Sequence, residues 1–383
     1  MTAGTAIPAG QTQVRLGPAD ALDLYQGLSL HELGRRAHAV TMRLHPEPYR
    51  TYVVDRNINY ANYCTARCLF CNFHAEPPGS PPTRRDLPEG YVLSFAEIGR
   101  KIEELIAIGG TQVLLQGGLV PPEILTFSWY LDLLRFIKCH YPGIHIHAFS
   151  PPEIHAFHQV FGMTVPDVLA RLREAGLDTI PGGGAEILSD RLRRRLSPGK
   201  ADSTQYLTVM REAHRLGMRT TATMMFGHLE TIPERIEHWR QLRDLQDETG
   251  GFTAYIGWTF QPGGTPLGRF PVDPHQPGRS LPDGQRLRLA DATEYLRTTA
   301  LARLFLDNIP NIQASWVTQG VKLGQLALFF GANDMGSVMM EENVVSAAGS
   351  THFATEQEIR ACITFAGWTP RRRDCYYRLQ EPV

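Results

Sequence analysis

The stretch NYCTARCLFCNF, residues 62–73, places Cys64, Cys68 and Cys71 in a C-x3-C-x2-C spacing, with Phe70 just before the third cysteine. The chain has six cysteines in 383 residues, too few for a disulfide scaffold, and three of them fall within eight positions. In a reducing compartment such crowding suits a metal site. A structural zinc ion wants four ligands, and His74 stands close enough in sequence to be the fourth. A cubane iron–sulfur cluster also normally takes four thiolates. If only three are provided, one iron keeps a position open to a substrate or cofactor. The cysteines alone leave both readings open. Cys139, Cys362 and Cys375 stand apart and read as ordinary thiols.

Around this loop the chain repeats one pattern: an amphipathic helix, a glycine that can stop it, a short β-rich run, then more glycine or proline. FAEIGRKIEELIAIGG leads into TQVLLQGG, VPDVLARLREAG into LDTIPGGG, and YLTVMREAHRLG into MRTTATMMFG. In the first of these, Phe95, Ile98, Ile102, Leu105 and Ile106 share a helical face, and glycine after the last turn suits a left-handed cap. Strands are predicted at 53–59, 111–116, 144–149, 177–181, 219–226, 252–260 and 311–316. An eighth falls near GSVMM (336–340), where the preceding QLALFF competes for the place. Strands alternating with helices are the rhythm of βα units in a parallel sheet. The expected fold is an α/β, TIM-type (β/α)8 barrel, open or closed. A helical extension over 1–50 precedes the barrel at 51–345, and a short extension packs on it from 346 to 383. The loops 75–90 and 268–287, rich in Pro, Gly and charge, exceed ordinary connections and suit lids as well as plain surface insertions.

Lys plus Arg number 38 against 39 Asp plus Glu, a net charge of −1. That balance provides no electrostatic basis for a nucleic-acid partner, and the clusters RLRRR (191–195) and PRRR (370–373) read mostly as solvated faces. The opening residues lack the charged start and apolar stretch of a secretory signal. No later apolar run approaches the ~18 residues needed to span a bilayer. The expectation is a cytoplasmic protein with no membrane partner.

Most polar clusters follow directly after a predicted strand: the cysteines, QGG (116–118), SPPE (150–153), PGGGAE (181–186) and GHLE (227–230). In a βα barrel such positions gather on the C-terminal face, where active sites are built.

A C-x3-C-x-aromatic-C loop after the first strand of a βα barrel resembles the radical S-adenosylmethionine (SAM) superfamily. The resemblance implies a [4Fe-4S] cluster on Cys64, Cys68 and Cys71 whose open iron is chelated by the amino and carboxylate groups of SAM. It implies further SAM contacts from Phe70, Phe73 and His74, from Gln116, Gly117 and Gly118, and from Ser150. Glu186 is expected at the SAM ribose, and Arg191 or Arg193 at its carboxylate through a planar fork. Leu119 stands where the superfamily often has Glu, and Asn72, Phe73, His74 and Ala75 replace an Ala-Phe-Tyr-Arg-like run.

The blocks SPPE, PGGGAEIL, TTATMMFGHLET, WTFQPG, NIPNIQASWVTQG and FFGANDMGSVMMEENVV are similar to the cyclic dehypoxanthinyl futalosine synthase family of the futalosine menaquinone pathway, over roughly residues 50–380. The aminofutalosine synthase and deazaflavin (FO) synthase families share the barrel and the cysteine spacing but match ASWVTQG and MMEENVV less well. A zinc-binding or cluster-carrying protein without catalysis is the alternative from another class. The resemblance implies that a reduced cluster splits SAM and that the 5′-deoxyadenosyl radical removes the ribose C4′ hydrogen of dehypoxanthinyl futalosine. The carbon radical then adds to the benzoate ring, and loss of one electron and one proton restores aromaticity. It also implies an external electron donor such as flavodoxin or ferredoxin. His228 and Glu230 are the first candidates to take the proton, with Asp334, Glu341 and Glu342 in reserve. Glu153, Thr259, Gln261, Gln313, Ser315 and Asn333 are candidates for the substrate's polar groups. Trp258, Phe260 and Trp316 would wall the aromatic ring or else pack in the core.

Overall fold

The computed structural model describes residues 15–80, 84, 86–272 and 286–380; most of the 268–287 loop therefore lies outside the described residues. Ten strands make one sheet: β1 (Tyr49–Val53), β2 (Asp55–Ile58), β3 (Gln112–Leu115), β4 (His145–Ala148), β5 (Thr179–Ile180), β6 (Arg219–Phe226), β7 (Phe252–Thr259), β8 (Asn311–Gln313), β9 (Asp334–Ser337) and β10 (Thr369–Arg372). All pairs are parallel, in the order β10-β1-β9-β8-β7-β6-β5-β4-β3-β2. Only Val54 separates β1 from β2, yet β9 pairs with the former and β3 with the latter. One short segment thus holds both ends of the seven-strand run from β3 to β9, and the sheet curls into the expected barrel.

The first strand begins earlier than predicted and is split. Its first half lies between β9 and β10, and its second half meets β3, so the segment changes neighbours at Val54. The predicted strand at 311–316 ends at Gln313 because Trp316 opens a short helix and turns its indole N–H onto the Ser337 carbonyl (3.0 Å). QLALFF does not compete for the eighth strand. It runs from the end of the helix Val321–Ala327 into a turn, and β9 takes Asp334–Ser337.

The helix Phe95–Ala107 illustrates the packing. Ser94 and Glu97 cap each other's backbone N–H groups at 3.3 and 2.7 Å, a capping box that satisfies two of the donors a helix start leaves free. Ile98, Ile102 and Leu105 are fully buried, each contributing about 1.5–3 kcal/mol by its removal from water. Ile106, expected on the same face, is exposed because it lies at the outer margin of the stripe. The helices Pro18–Gly27 and Leu30–Leu44 pack outside the barrel on the helices Ile232–Thr249 and Ala292–Phe305. No helix of the described residues is long and apolar enough to cross a membrane.

Sequence reading treated PRRR as a solvated face, and the structure corrects this. The run forms β10, and Arg373, 4% exposed, reaches the fully buried Asp334 with Nε at 2.6 Å and Nη2 at 2.9 Å. Thr51 Oγ1 and the Gly336 N–H also donate to this carboxylate, at 2.6 and 2.8 Å. Removing one partner of such a pair strands the other charge out of water. Arg373→Ala is therefore expected to lower unfolding stability by about 3–5 kcal/mol, read from urea midpoints. A loss below about 1 kcal/mol, the worth of an exposed pair, would show that the contact is dispensable.

Candidate functional site

Parallel strands deliver their following loops to one end of the barrel. Cys64–Cys71 follow β2, Gln116–Leu119 follow β3, Ser150 and Glu153 follow β4, and 181–186 follow β5. His228 and Glu230 follow β6, Thr259–Gln261 close β7, and Ser315 follows β8. Arg67 (φ +49°), Phe149 (+56°) and Glu186 (+44°) in these connections, and Met339 (+46°) after β9, adopt the left-handed backbone without being glycine. Such conformations cost of order 1–3 kcal/mol each and persist where the surroundings impose them.

The thiol loop is held by backbone. Leu119 N–H and Ala66 N–H donate to Cys64 Sγ at 3.2 and 3.4 Å, and the Phe73 and His74 N–H groups lie against Cys71. Burial pushes all three thiol pKa values up; the N–H groups oppose it at Cys64 and Cys71, and Lys200 opposes it at all three. Gly118 has no room for a side chain, since a Cβ would stand 2.0 Å from the Tyr63 oxygen and 2.7 Å from Cys64 Cβ. At Gly117 a Cβ would meet the Tyr60 ring at 2.4 Å. Behind these glycines, Glu153 accepts from Tyr60 Oη (2.6 Å), Gly117 N–H (3.1 Å), and Ser150 N–H and Oγ (2.8 and 2.6 Å). Glu153 and Ser150 thus shape the QGG turn from behind, and Glu153 has no free face toward a substrate. His74 is buried, and its Nδ1 finds no partner among the described residues.

The cation at this site is one that sequence reading missed. Lys200 Nζ stands 2.6 Å from Glu186 Oε1 and 5.2 Å from the centre of the Phe70 ring. Burial works to raise the Glu186 carboxyl, but Lys200 and then Arg193 outweigh it and hold it below its ordinary value. Neither predicted arginine is turned to the site. Arg193 is buried and spends its guanidinium on the carbonyls of Ala201 (2.9 and 2.5 Å), Gly184 (3.2 Å) and Ala185. Arg191 is exposed and forks onto Glu234 at 2.9–3.1 Å. One signal was available: Lys200 is one of four lysines among 38 basic residues.

The expected proton acceptors also differ in setting. Glu230 is buried and accepts from Gly227 N–H (2.7 Å), His228 N–H (2.9 Å) and Arg235 (2.6 and 2.8 Å). His228 is wholly buried, its Nδ1 accepting from Leu229 N–H at 2.7 Å. Both are locked into the wall, so neither presents a free lone pair. Asp334 is occupied by Arg373, and Glu342 accepts the Val344, Val345 and Ser346 N–H groups at 2.7–2.9 Å. Glu341 differs, because with Asn59, Phe73, Tyr91, Lys101 and Asn343 it lines a cavity of about 520 Å³. It pairs with Lys101 (2.8 Å) and Arg56 (2.7 Å), which hold its pKa down against burial. Gln261, Thr259, Gln319, Ser315 and Thr318 form one hydrogen-bonded cluster between the ends of β7 and β8. Trp258 and Gln313 are partly exposed, whereas Phe260 and Trp316 pack in the core. Asn333 is tied to Arg303, Ile312 and Asn311 at 2.8–2.9 Å and is a framework residue.

Comparison with known proteins follows from this geometry. Residues 58–242 match the model of the radical SAM superfamily, and 249–383 match a CofH/MqnC C-terminal region. The chain is 43% identical over 365 residues to a cyclic dehypoxanthine futalosine synthase of Halalkalibacterium halodurans, covering 95% of this chain and 91% of that one. The chain belongs to the radical SAM superfamily. A second cyclic dehypoxanthine futalosine synthase, from Streptomyces coelicolor, is 40% identical over 95% of this chain and 85% of its own length. A 5-amino-6-(D-ribitylamino)uracil–L-tyrosine 4-hydroxyphenyl transferase of Methanopyrus kandleri is also 40% identical, over 95% and 92%. Among solved structures, methylornithine synthase shares the fold at a TM-score of 0.70 and 20% identity, over 94% of this chain and 95% of that one.

As a radical SAM enzyme the protein uses SAM and an iron–sulfur cluster. The residues fit such a group. Three thiols on one loop, N–H donors aimed at two of the sulfurs and a partly buried cation beside them provide thiolate attachment with charge compensation. Among the described residues no three His, Cys, Asp or Glu side chains converge to hold a single metal ion. Cys64→Ala, Cys68→Ala and Cys71→Ala are each expected to lose cluster iron and to reduce SAM cleavage to background, while Cys139→Ala, at an exposed position, retains both. Iron counting and methionine release check this, and turnover surviving any of the first three would overturn it.

Proposed function

We propose that this radical SAM enzyme converts dehypoxanthinyl futalosine to its cyclic form in menaquinone biosynthesis, using a [4Fe-4S] cluster reduced by an external donor such as flavodoxin or ferredoxin in the cytoplasm. The observation that carries this reading is the pair of synthases, 43% and 40% identical over 95% of the chain. The blocks ASWVTQG (314–320) and MMEENVV (339–345) add to it, since they follow β8 and β9 at the end of the barrel that carries the cysteine loop. The transferase is 40% identical over the same share of the chain, so product chemistry is the discriminating measurement.

When bound, the cluster and SAM supply a one-electron cleavage that makes a 5′-carbon radical able to take the ribose C4′ hydrogen. The chain must hold C4′ at the adenosyl methylene and the benzoate over C4′, because a misplacement of about 1 Å can cost 10²-fold in rate. The hydrogen-bonded cluster of Thr259, Gln261, Gln319 and Ser315 is suited to hydroxyl and keto groups, with Trp258 beside it for the ring. Glu341, on the cavity that Phe73 and Tyr91 also line, is the carboxylate we assign to receive the last proton. Lys101 and Arg56 hold it as a carboxylate at the cavity wall.

Anaerobically reconstituted enzyme with dehypoxanthinyl futalosine is expected to yield free 5′-deoxyadenosine and a cyclised product of substrate mass minus two. Adenosyl carbon appearing in the product would instead identify an aminofutalosine-synthase-like addition. With Glu341→Gln, 5′-deoxyadenosine should still form while cyclised product falls by about 10²-fold or more. Parallel loss of both would remove Glu341 from the proton step.

A further inference from the structure

We infer that Lys200 is a positioning residue for the iron–sulfur cluster: its ammonium, fixed in place by Glu186, compensates the negative charge gathered on Cys64, Cys68 and Cys71 and so raises the cluster's reduction potential. The inference rests on the reading of the three cysteines as cluster ligands, and the identity of the substrate does not enter it.

Lys200 comes from the connection SPGKAD, between the helices Asp190–Leu196 and Ser203–Arg215. Two contacts fix that connection against the thiol loop, and a turn within it sets its shape. Leu69 N–H donates to the Leu196 carbonyl at 2.8 Å, in the middle of the cysteine run. Gly199 lies so close to it that a Cβ there would stand 2.8 Å from Ala66 Cα and 3.1 Å from the Thr65 and Ala66 oxygens. Lys200 N–H closes a turn on the Ser197 carbonyl at 3.0 Å. Arg193 then staples the far side, joining Ala201 to Gly184 and Ala185. The backbone that carries Lys200 is thus set by both the cysteine loop and the loop after β5.

The side chain is set equally firmly. Its Nζ meets Glu186 Oε1 at 2.6 Å and lies over the Phe70 ring, between Cys68 and Cys71 in sequence. Glu186 is itself immobilised by a left-handed backbone (φ +44°) and by Met225 N–H on its carbonyl at 2.8 Å. The 2.6 Å pair with Glu186 on one side and the Phe70 ring face on the other hold the side chain as an ammonium. A fixed positive charge next to a thiolate-ligated cluster favours the form that carries one more electron, since cluster potentials follow net charge, hydrogen bonds to sulfur and solvent exposure. The Leu119 and Ala66 N–H groups act on Cys64 in the same sense. They belong to the backbone, so Lys200 is the part of this device that substitution can remove.

The test is a redox titration followed by electron paramagnetic resonance on reconstituted wild type, Lys200→Met and Lys200→Arg, without SAM or substrate, with iron and sulfide counted in each. The midpoint of Lys200→Met should shift to lower potential, and that of Lys200→Arg should stay with wild type. An unchanged midpoint in a fully loaded Lys200→Met protein overturns the inference, as does a Lys200→Arg midpoint that follows Lys200→Met. If Lys200→Met takes up no cluster while Lys200→Arg loads as wild type does, the need for a cation is supported. Failure of both to load overturns it, because shape and not charge would then be required. Wild type that binds no iron would instead refute the cluster reading itself.

Discussion

The barrel and its site share one constraint. The segment Tyr49–Ile58 pairs with β9 and β10 through its first half and with β3 through its second, and the cysteine loop begins only six residues beyond it. Whatever holds the sheet curled therefore also fixes the base of the thiol loop. The Asp334–Arg373 pair works at this seam, tying β9 to the end of β10 and taking a further bond from Thr51 in β1.

At the opposite end of the strands the problem is charge. To bind a cluster the three thiols, Cys68 buried and Cys64 and Cys71 partly so, would lose their protons, and burial opposes that at each. The chain answers with backbone N–H groups at Cys64 and Cys71 and with a lysine that a carboxylate and two loops hold in place. Glycines at 117, 118 and 199 let these backbones approach, because any side chain there would strike a neighbour. The left-handed residues Arg67 and Glu186 lie in the same loops. Strain of this kind is kept where function needs a fixed geometry.

Much of the fold was legible in the sequence because its signals are local. Helical stripes ending in glycine, with short apolar runs between, place the βα units, and β6 was predicted with its observed limits. The split of the first strand was not legible, since it arises from a change of neighbour and not from any residue between 49 and 58. Strand β10 was missed because three arginines and a proline look like surface until Asp334 appears opposite Arg373. At the site, the cysteine spacing and the resemblance built on it were local as well. The choice among cations was not. Arg191 and Arg193 lie closer in sequence to Glu186 than Lys200 does, but Arg193 faces backbone carbonyls and Arg191 faces Glu234.

The proton acceptors follow the same division. His228 and Glu230 were attractive because they follow a strand, yet position after a strand does not say which way a side chain turns, and Arg235 from the next helix captures the carboxylate. By itself the sequence determined the barrel and the three-cysteine spacing on which the superfamily resemblance rests, because spacing and periodicity are properties of a chain. Only the tertiary structure decided that Lys200 faces the cluster loop, that Glu341 reaches a cavity and that Arg373 is buried. Each of those depends on groups 14 or more residues away in sequence, brought together by packing.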